Sequence, residues 1–164
     1  ETIKLREHYS FTRQKILQFT IDLYNFYDKD NEAENVLVFP GNHDCPTIHG
    51  WYKMLNDECK VGLKKFLSKN HCNDINVNIG IMEYCMRCKA KMVILTVQDI
   101  IGLDDSTRMN VPGTISNKNW TWKLTDFEVF KERWENFSAT CVCRRLLLTT
   151  ISKQRLCRRL VSSL

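Results

Sequence analysis

The sequence predicts an α/β fold built on a parallel sheet, and three observations carry that expectation. Short apolar runs at Lys15–Ile21, Asn35–Phe39 and Lys91–Val97 have the length and branching of strands. Segments with helical spacing alternate with them, the order that places helices against a mostly parallel sheet. Two of the runs end in polar turns, Pro40-Gly41-Asn42-His43-Asp44 and Gln98-Asp99. Parallel-sheet enzymes deliver side chains to a substrate rim in this way.

The elements follow in order. Residues 2–9 have helical spacing, with Ile3 and Leu5 apolar among charges. The run Lys15–Ile21 reads as a strand, and a polar loop containing aromatics spans Asp22–Glu34. After the strand Asn35–Phe39, one helix is expected over Thr47–Lys69, with Trp51, Met54, Leu55, Val61, Leu63, Phe66 and Leu67 on its apolar side. A turn at Asn70–Asn73 precedes a second helix over about Val77–Lys89. The strand Lys91–Val97 is almost wholly apolar, as a buried parallel strand should be. A long loop then covers Gln98–Asn119, and Thr125-Asp126-Phe127-Glu128 reads as a capping box opening a helix to about Phe137. Three strands leave two open edges, and the chain begins without Met, so a piece of a larger fold is expected.

Composition narrows the function classes. The formal charge of +5 comes from the end of the chain. Six basic residues (Arg144, Arg145, Lys153, Arg155, Arg158, Arg159) and no acidic ones lie in 138–164. Residues 1–137 therefore hold 18 basic and 19 acidic groups, a net −1, which argues against a nucleic-acid face on the folded part. No apolar run approaches the roughly 18 residues that span a membrane, and Glu1-Thr2-Ile3-Lys4 does not read as a signal peptide. Reduced cysteines and a cytoplasmic setting are expected. The pair Cys85-x-x-Cys88 has no properly spaced second pair, and its i, i+3 spacing fits a buried helix face better than zinc.

Gly41-Asn42-His43-Asp44 admits two chemistries. After an apolar strand it resembles the signature of binuclear metallophosphoesterases, where Asn and His serve a two-metal cluster. That family's upstream Asp-x-His, its Gly-Asp-x-x-Asp and its downstream Gly-His-x-His do not occur here. The sugar alternative gains from a second motif that leaves the next strand. It contains Gln98-Asp99, then Arg108-Met109-Asn110-Val111-Pro112-Gly113-Thr114, then Asn119-Trp120-Thr121-Trp122-Lys123-Leu124.

Together with His43-Asp44, Thr47 and Gly50-Trp51, these blocks resemble the 4-α-glucanotransferases (amylomaltases, glycoside hydrolase family 77), in order and over roughly residues 2–137. The resemblance implies a partial (β/α)8 TIM barrel, about the last three βα units, strands six to eight. It implies retaining transfer of α-1,4-glucan segments between maltooligosaccharides, by an Asp nucleophile and a Glu acid/base about 5–5.5 Å apart, assisted by a third carboxylate. By motif position Asp44 is that third carboxylate, His43 contacts the same sugar, and Asn110 is a substrate contact. Phe19 offers a stacking face and Arg108 a substrate or loop contact, while Gln98 and Asp99 shape the loop. In a plain structural role, Asp44 would be a turn residue, Arg108 a loop clamp, and Trp120 and Trp122 core.

The resemblance implies no metal, no cofactor, no nucleic acid and no membrane partner, and assigns neither nucleophile nor acid/base to this chain. The alternative from another class is a non-catalytic α-glucan-binding remnant. Residues 138–164 depart from the family pattern and read either as an altered, frame-shifted C-terminus or as a basic apolar segment for an anionic surface.

Overall fold

The computed structural model describes residues 2–29 and 35–146. Helix α1 (Thr2–His8) leads into strand β1 (Arg13–Ile16), a helical turn α2 (Leu17–Thr20), and a small antiparallel hairpin of β2 (Ile21–Asp22) and β3 (Tyr27–Asp28). Strand β4 (Val36–Phe39), helices α3 (Ile48–Met54), α4 (Asp57–Lys69) and α5 (Val77–Arg87), and strand β5 (Met92–Val93) follow. Helix α6 (Val97–Ile101), a 3-10 turn (Asp105–Thr107) and the long α7 (Phe127–Leu146) complete the order. Strands β1, β4 and β5 form one parallel sheet with β4 in the middle, Gln14 opposite Leu37 and Leu37 opposite Met92.

The pleat sorts this sheet into two unlike faces. Lys15, Val36 and Val38 are buried beneath the helices, with Leu63, Phe66, Leu67, Ile81, Met82 and Phe137 in the same core. The alternate residues face the other way, and Met92 there is 54% exposed. Among the described residues the outer edges of β1 and β5 have no strand partner. No helix of the described residues is long and apolar enough to cross a membrane.

The structure departs from the expected elements at several places. The buried strand expected over Lys91–Val97 is only β5, Met92–Val93, with Met92 54% exposed. The loop expected over Asp22–Glu34 holds the β2–β3 hairpin. The first strand stops at Ile16, opposite Phe39, the last residue of β4. Leu17–Thr20 therefore closes on itself as α2, and Gln18 N donates to Pro40 O at 3.2 Å. The expected helix over 47–69 is two helices. Asn56 caps the second by accepting from Cys59 N at 2.8 Å, and Asn favours that role over a helix interior.

The expected loop after β5 holds α6, with Thr96 as its N-cap and Gly102 ending it in the left-handed region at φ +84°. The start of α7 is capped by Asp126, which accepts from Val129 N at 3.0 Å, rather than by Thr125. This helix runs past Phe137 to Leu146, and the rest of the basic stretch, 147–164, lies outside the described residues.

Two buried carboxylates hold the layers together. On the helix-covered face Lys15 pairs with Asp28 of β3, and Tyr84 of α5 donates its hydroxyl to the same Asp28 oxygen at 3.0 Å. Burial and the Asp28 charge push the Tyr84 hydroxyl far above its ordinary range. Cys85, fully buried on α5, is likewise held as a thiol, and burial pushes Cys88 up to about 11. Asp99, on α6, accepts from Ile48 N at 2.8 Å and from the Thr96 hydroxyl at 2.8 Å, tying α6 to the start of α3.

Burial raises the Asp99 pKa above 3.8, outweighing the two hydrogen bonds that lower it. A raised folded pKa means that the stabilisation is full below the unfolded value and is lost as pH rises through the folded one. Relative to Asp99→Asn, which cannot ionise, the native chain should lose stability as pH climbs from about 4 through that range. Urea midpoints of both chains at stepped pH would show it, and parallel curves would refute it.

Candidate active site

The site is built where the parallel strands end. The segments after β1, β4 and β5 emerge on one rim, and Gln18 Nε2 joins the first to the second by donating to Pro46 O at 3.0 Å. Gly41 opens the turn after β4, where any side chain would have to displace the Gln18 carboxamide. A Cβ would lie 2.6 Å from Gln18 Nε2 and 3.0 Å from Cys45 Cβ. Asn42 then folds the chain back, its Oδ1 accepting from Asp44 N at 2.9 Å and from Cys45 Sγ at 3.3 Å. The Asn42 carboxamide oxygen thus serves the turn that presents His43 and Asp44.

The loop after α6 meets this turn residue by residue. Asn110 Nδ2 donates to Asp44 Oδ1 at 2.7 Å, while His43 Nε2 lies 3.2 Å from Asp44 Oδ2. The backbones are zipped as well, Asn110 N donating to His43 O at 3.1 Å. Arg108 donates through Nη2 to Asp44 O at 2.6 Å and through Nε to Asn110 O at 2.8 Å. Its guanidinium therefore binds the two loops to each other. Gln98 Nε2 supports the far side of the loop at Thr107 O, 3.2 Å away, and Asp105 Oδ1 accepts from Thr47 N at 3.2 Å.

Both Asp44 oxygens are engaged, yet its side chain stays 42% exposed and that of His43 52% exposed. A carboxylate oriented by an amide and an imidazole, with one side open, is suited to accept hydrogen bonds from a polyhydroxylated ligand.

His43, Asp44, Asn110 and Arg108 thus come together from positions up to 67 apart in the chain. Phe19 sits on α2 at the exit of β1, 71% exposed, and offers an open ring on the same rim. Trp120, which could have been core, is 59% exposed beside the site, with its ring centroid 5.1 Å from that of His43. The motif around Asn119-Trp120 was visible in the sequence, but nothing in it indicated which way the indole faces.

A family model described as 4-alpha-glucanotransferase matches residues 1–129. The 4-alpha-glucanotransferase of Solanum tuberosum, chloroplastic/amyloplastic by name, is 29% identical over 155 residues, covering 93% of this chain and 26% of that protein. The Thermus thermophilus 4-alpha-glucanotransferase is 30% identical over 139 residues, covering 80% of this chain and 28% of that protein. A solved amylomaltase from Streptococcus agalactiae, in complex with acarbose, has the same α/β fold over this region. It matches with a TM-score of 0.68 at 21% identity, over 84% of this chain and 29% of its own. The chain spans about a quarter of the length of the curated relatives it matches.

Proposed function

The chain belongs to the 4-alpha-glucanotransferase family, and from that premise we propose that it forms the part of the catalytic barrel made by strands six to eight and carries half of the glucan site. Residues 1–137 form this part, and 138–164 are a departure from it at the C-terminus. The observation that carries the proposal is the Asp44 carboxylate, held at the rim by Asn110 at 2.7 Å and His43 at 3.2 Å with one side open.

In a retaining double displacement the nucleophile attacks the anomeric carbon and the acid/base protonates the departing oxygen. The ring flattens as positive charge grows on it. Asp44 takes the third role, gripping sugar hydroxyls more strongly in that flattened state than in the ground state. His43 and Asn110 orient its two oxygens and contact the same sugar. Arg108 fixes the loop that carries Asn110, and the exposed ring of Phe19 offers a stacking surface. The substrates are maltooligosaccharides or longer α-glucans, with no metal or cofactor and in a cytoplasmic setting.

No residue of this chain fills the roles of nucleophile or acid/base, so the 164 residues alone should not turn over. Incubation with maltotriose is expected to yield neither glucose nor longer glucans by chromatography, and detectable conversion would refute this division of labour. A second reading is favoured by the assembly of Asp44, His43 and Asn110 within this chain, namely a glucan-binding module without catalysis. Titration with acarbose or maltoheptaose tests the binding half of both readings: saturable binding that Asp44→Ala abolishes supports it, and absence of binding counts against it.

A further inference from the structure

Trp120 has a backbone φ of +63°, in the left-handed region. For a bulky aromatic residue this is a strained conformation, kept only where surrounding contacts enforce it. Core packing does not account for it, because Trp120 is 59% exposed.

What the conformation achieves is a position. Trp120 N donates to Met109 O at 2.6 Å, and the next residue, Asn110, donates its N–H to His43 O at 3.1 Å. Adjacent residues of one loop thereby clip Trp120 and His43 side by side. Asn119 secures the approach, its Oδ1 accepting from Val111 N at 3.3 Å and its Nδ2 donating to Thr114 O at 3.2 Å. The indole and imidazole centroids are then 5.1 Å apart at an interplanar angle of 41°. His43 needs such a neighbour. Its side chain is 52% exposed, and its Nε2 meets Asp44 Oδ2 at 3.2 Å only in a particular setting of two side-chain torsions.

We propose that Trp120 is a positioning residue for His43: its indole walls one side of the imidazole and keeps Nε2 on Asp44 Oδ2. The inference builds on the reading of His43–Asp44 as a glucan site, but its geometry can be tested without sugar. In NMR spectra of the 164-residue chain, ring-to-ring contacts between Trp120 and His43 are expected, with the imidazole carbon-bound protons displaced by the indole ring current. Trp120→Ala should abolish that displacement and Trp120→Phe should largely preserve it. Unmoved imidazole signals in Trp120→Ala would overturn the proposal. Should Trp120→Ala fail to fold, judged by the dispersion of the Leu63 and Ile81 methyl signals, the contacts in the native chain and the Trp120→Phe signals decide in the same two directions.

Acarbose affinity supplies the functional arm. Trp120→Ala and His43→Ala should each weaken binding about tenfold, as for loss of one well-placed hydrogen bond. The double variant should bind no more weakly than His43→Ala alone, because Trp120 acts through His43. Additive losses would show that the indole touches the sugar itself and would overturn the positioning role. Absence of acarbose binding by the native chain would count against the glucan-site reading, while the imidazole signals would still judge this one.

Discussion

If Asp44 serves the glucanotransferase role proposed above, Asp44→Asn in a full-length glucanotransferase that carries this segment is expected to lower kcat on the order of 10²–10³-fold while changing KM far less. The substitution keeps the shape of the side chain and removes its charge. In the native site Oδ1 accepts from the Asn110 amide at 2.7 Å and Oδ2 lies 3.2 Å from His43 Nε2. An Asn side chain must place an NH₂ group toward one of these partners, so one hydrogen bond is lost or reorganised. The larger effect is electrostatic: the reacting sugar gains positive charge as its ring flattens, and a preorganised carboxylate stabilises that state without rearranging.

Because the interaction strengthens only towards the transition state, the loss should fall on kcat. Disproportionation of maltotriose by the native and variant enzymes, with thermal unfolding as a control, would measure it. A variant within tenfold of native kcat, with unchanged stability, would return Asp44 to the role of a turn residue.

Asp28→Ala is expected to cost about 3–5 kcal/mol of stability, the range for breaking a buried ion pair from one side. Lys15 is 2% exposed and Asp28 7% exposed, so water screens neither group well. The Lys15 ammonium and the Tyr84 hydroxyl converge on this one carboxylate, joining β1, β3 and α5 across the main core. A double change, Lys15→Met with Asp28→Leu, should recover most of the loss, because apolar groups of similar volume often replace a buried pair at little cost. Urea denaturation of the two variants and the native chain tests both statements. A cost below about 1 kcal/mol for Asp28→Ala would mean that water or neighbouring groups replace the carboxylate.

Much of the fold was legible because its signals are local. The apolar runs located β1, β4 and β5, and helical spacing located the helical segments of 48–69 and α5. The misses were also local, decided by a finer signal than hydrophobicity. Asn56 divides a helix that the apolar pattern runs straight through, and Thr96 with Gly102 builds a short helix where Gly and Pro suggested only loop. The early end of β1 was less accessible. It is set by the register against β4, where Ile16 lies opposite the last paired residue, Phe39, and nothing in the apolar run Lys15–Ile21 marks that point.

The sequence alone determined the α/β class, the strand ends that carry His43-Asp44 and Gln98-Asp99, and, through ordered motifs, the family. Residue type, spacing and short-range periodicity suffice for these. Tertiary structure decided which groups meet: that Asn110 and His43 hold the two Asp44 oxygens, that Arg108 binds loop to loop, and that a left-handed Trp120 flanks His43. Those contacts join turns separated by more than sixty residues, and the register of a parallel sheet, with β4 between β1 and β5, brings them to one rim. Hydrogen bonds act over about 3 Å, and no local pattern in a chain encodes a distance that short between residues that far apart.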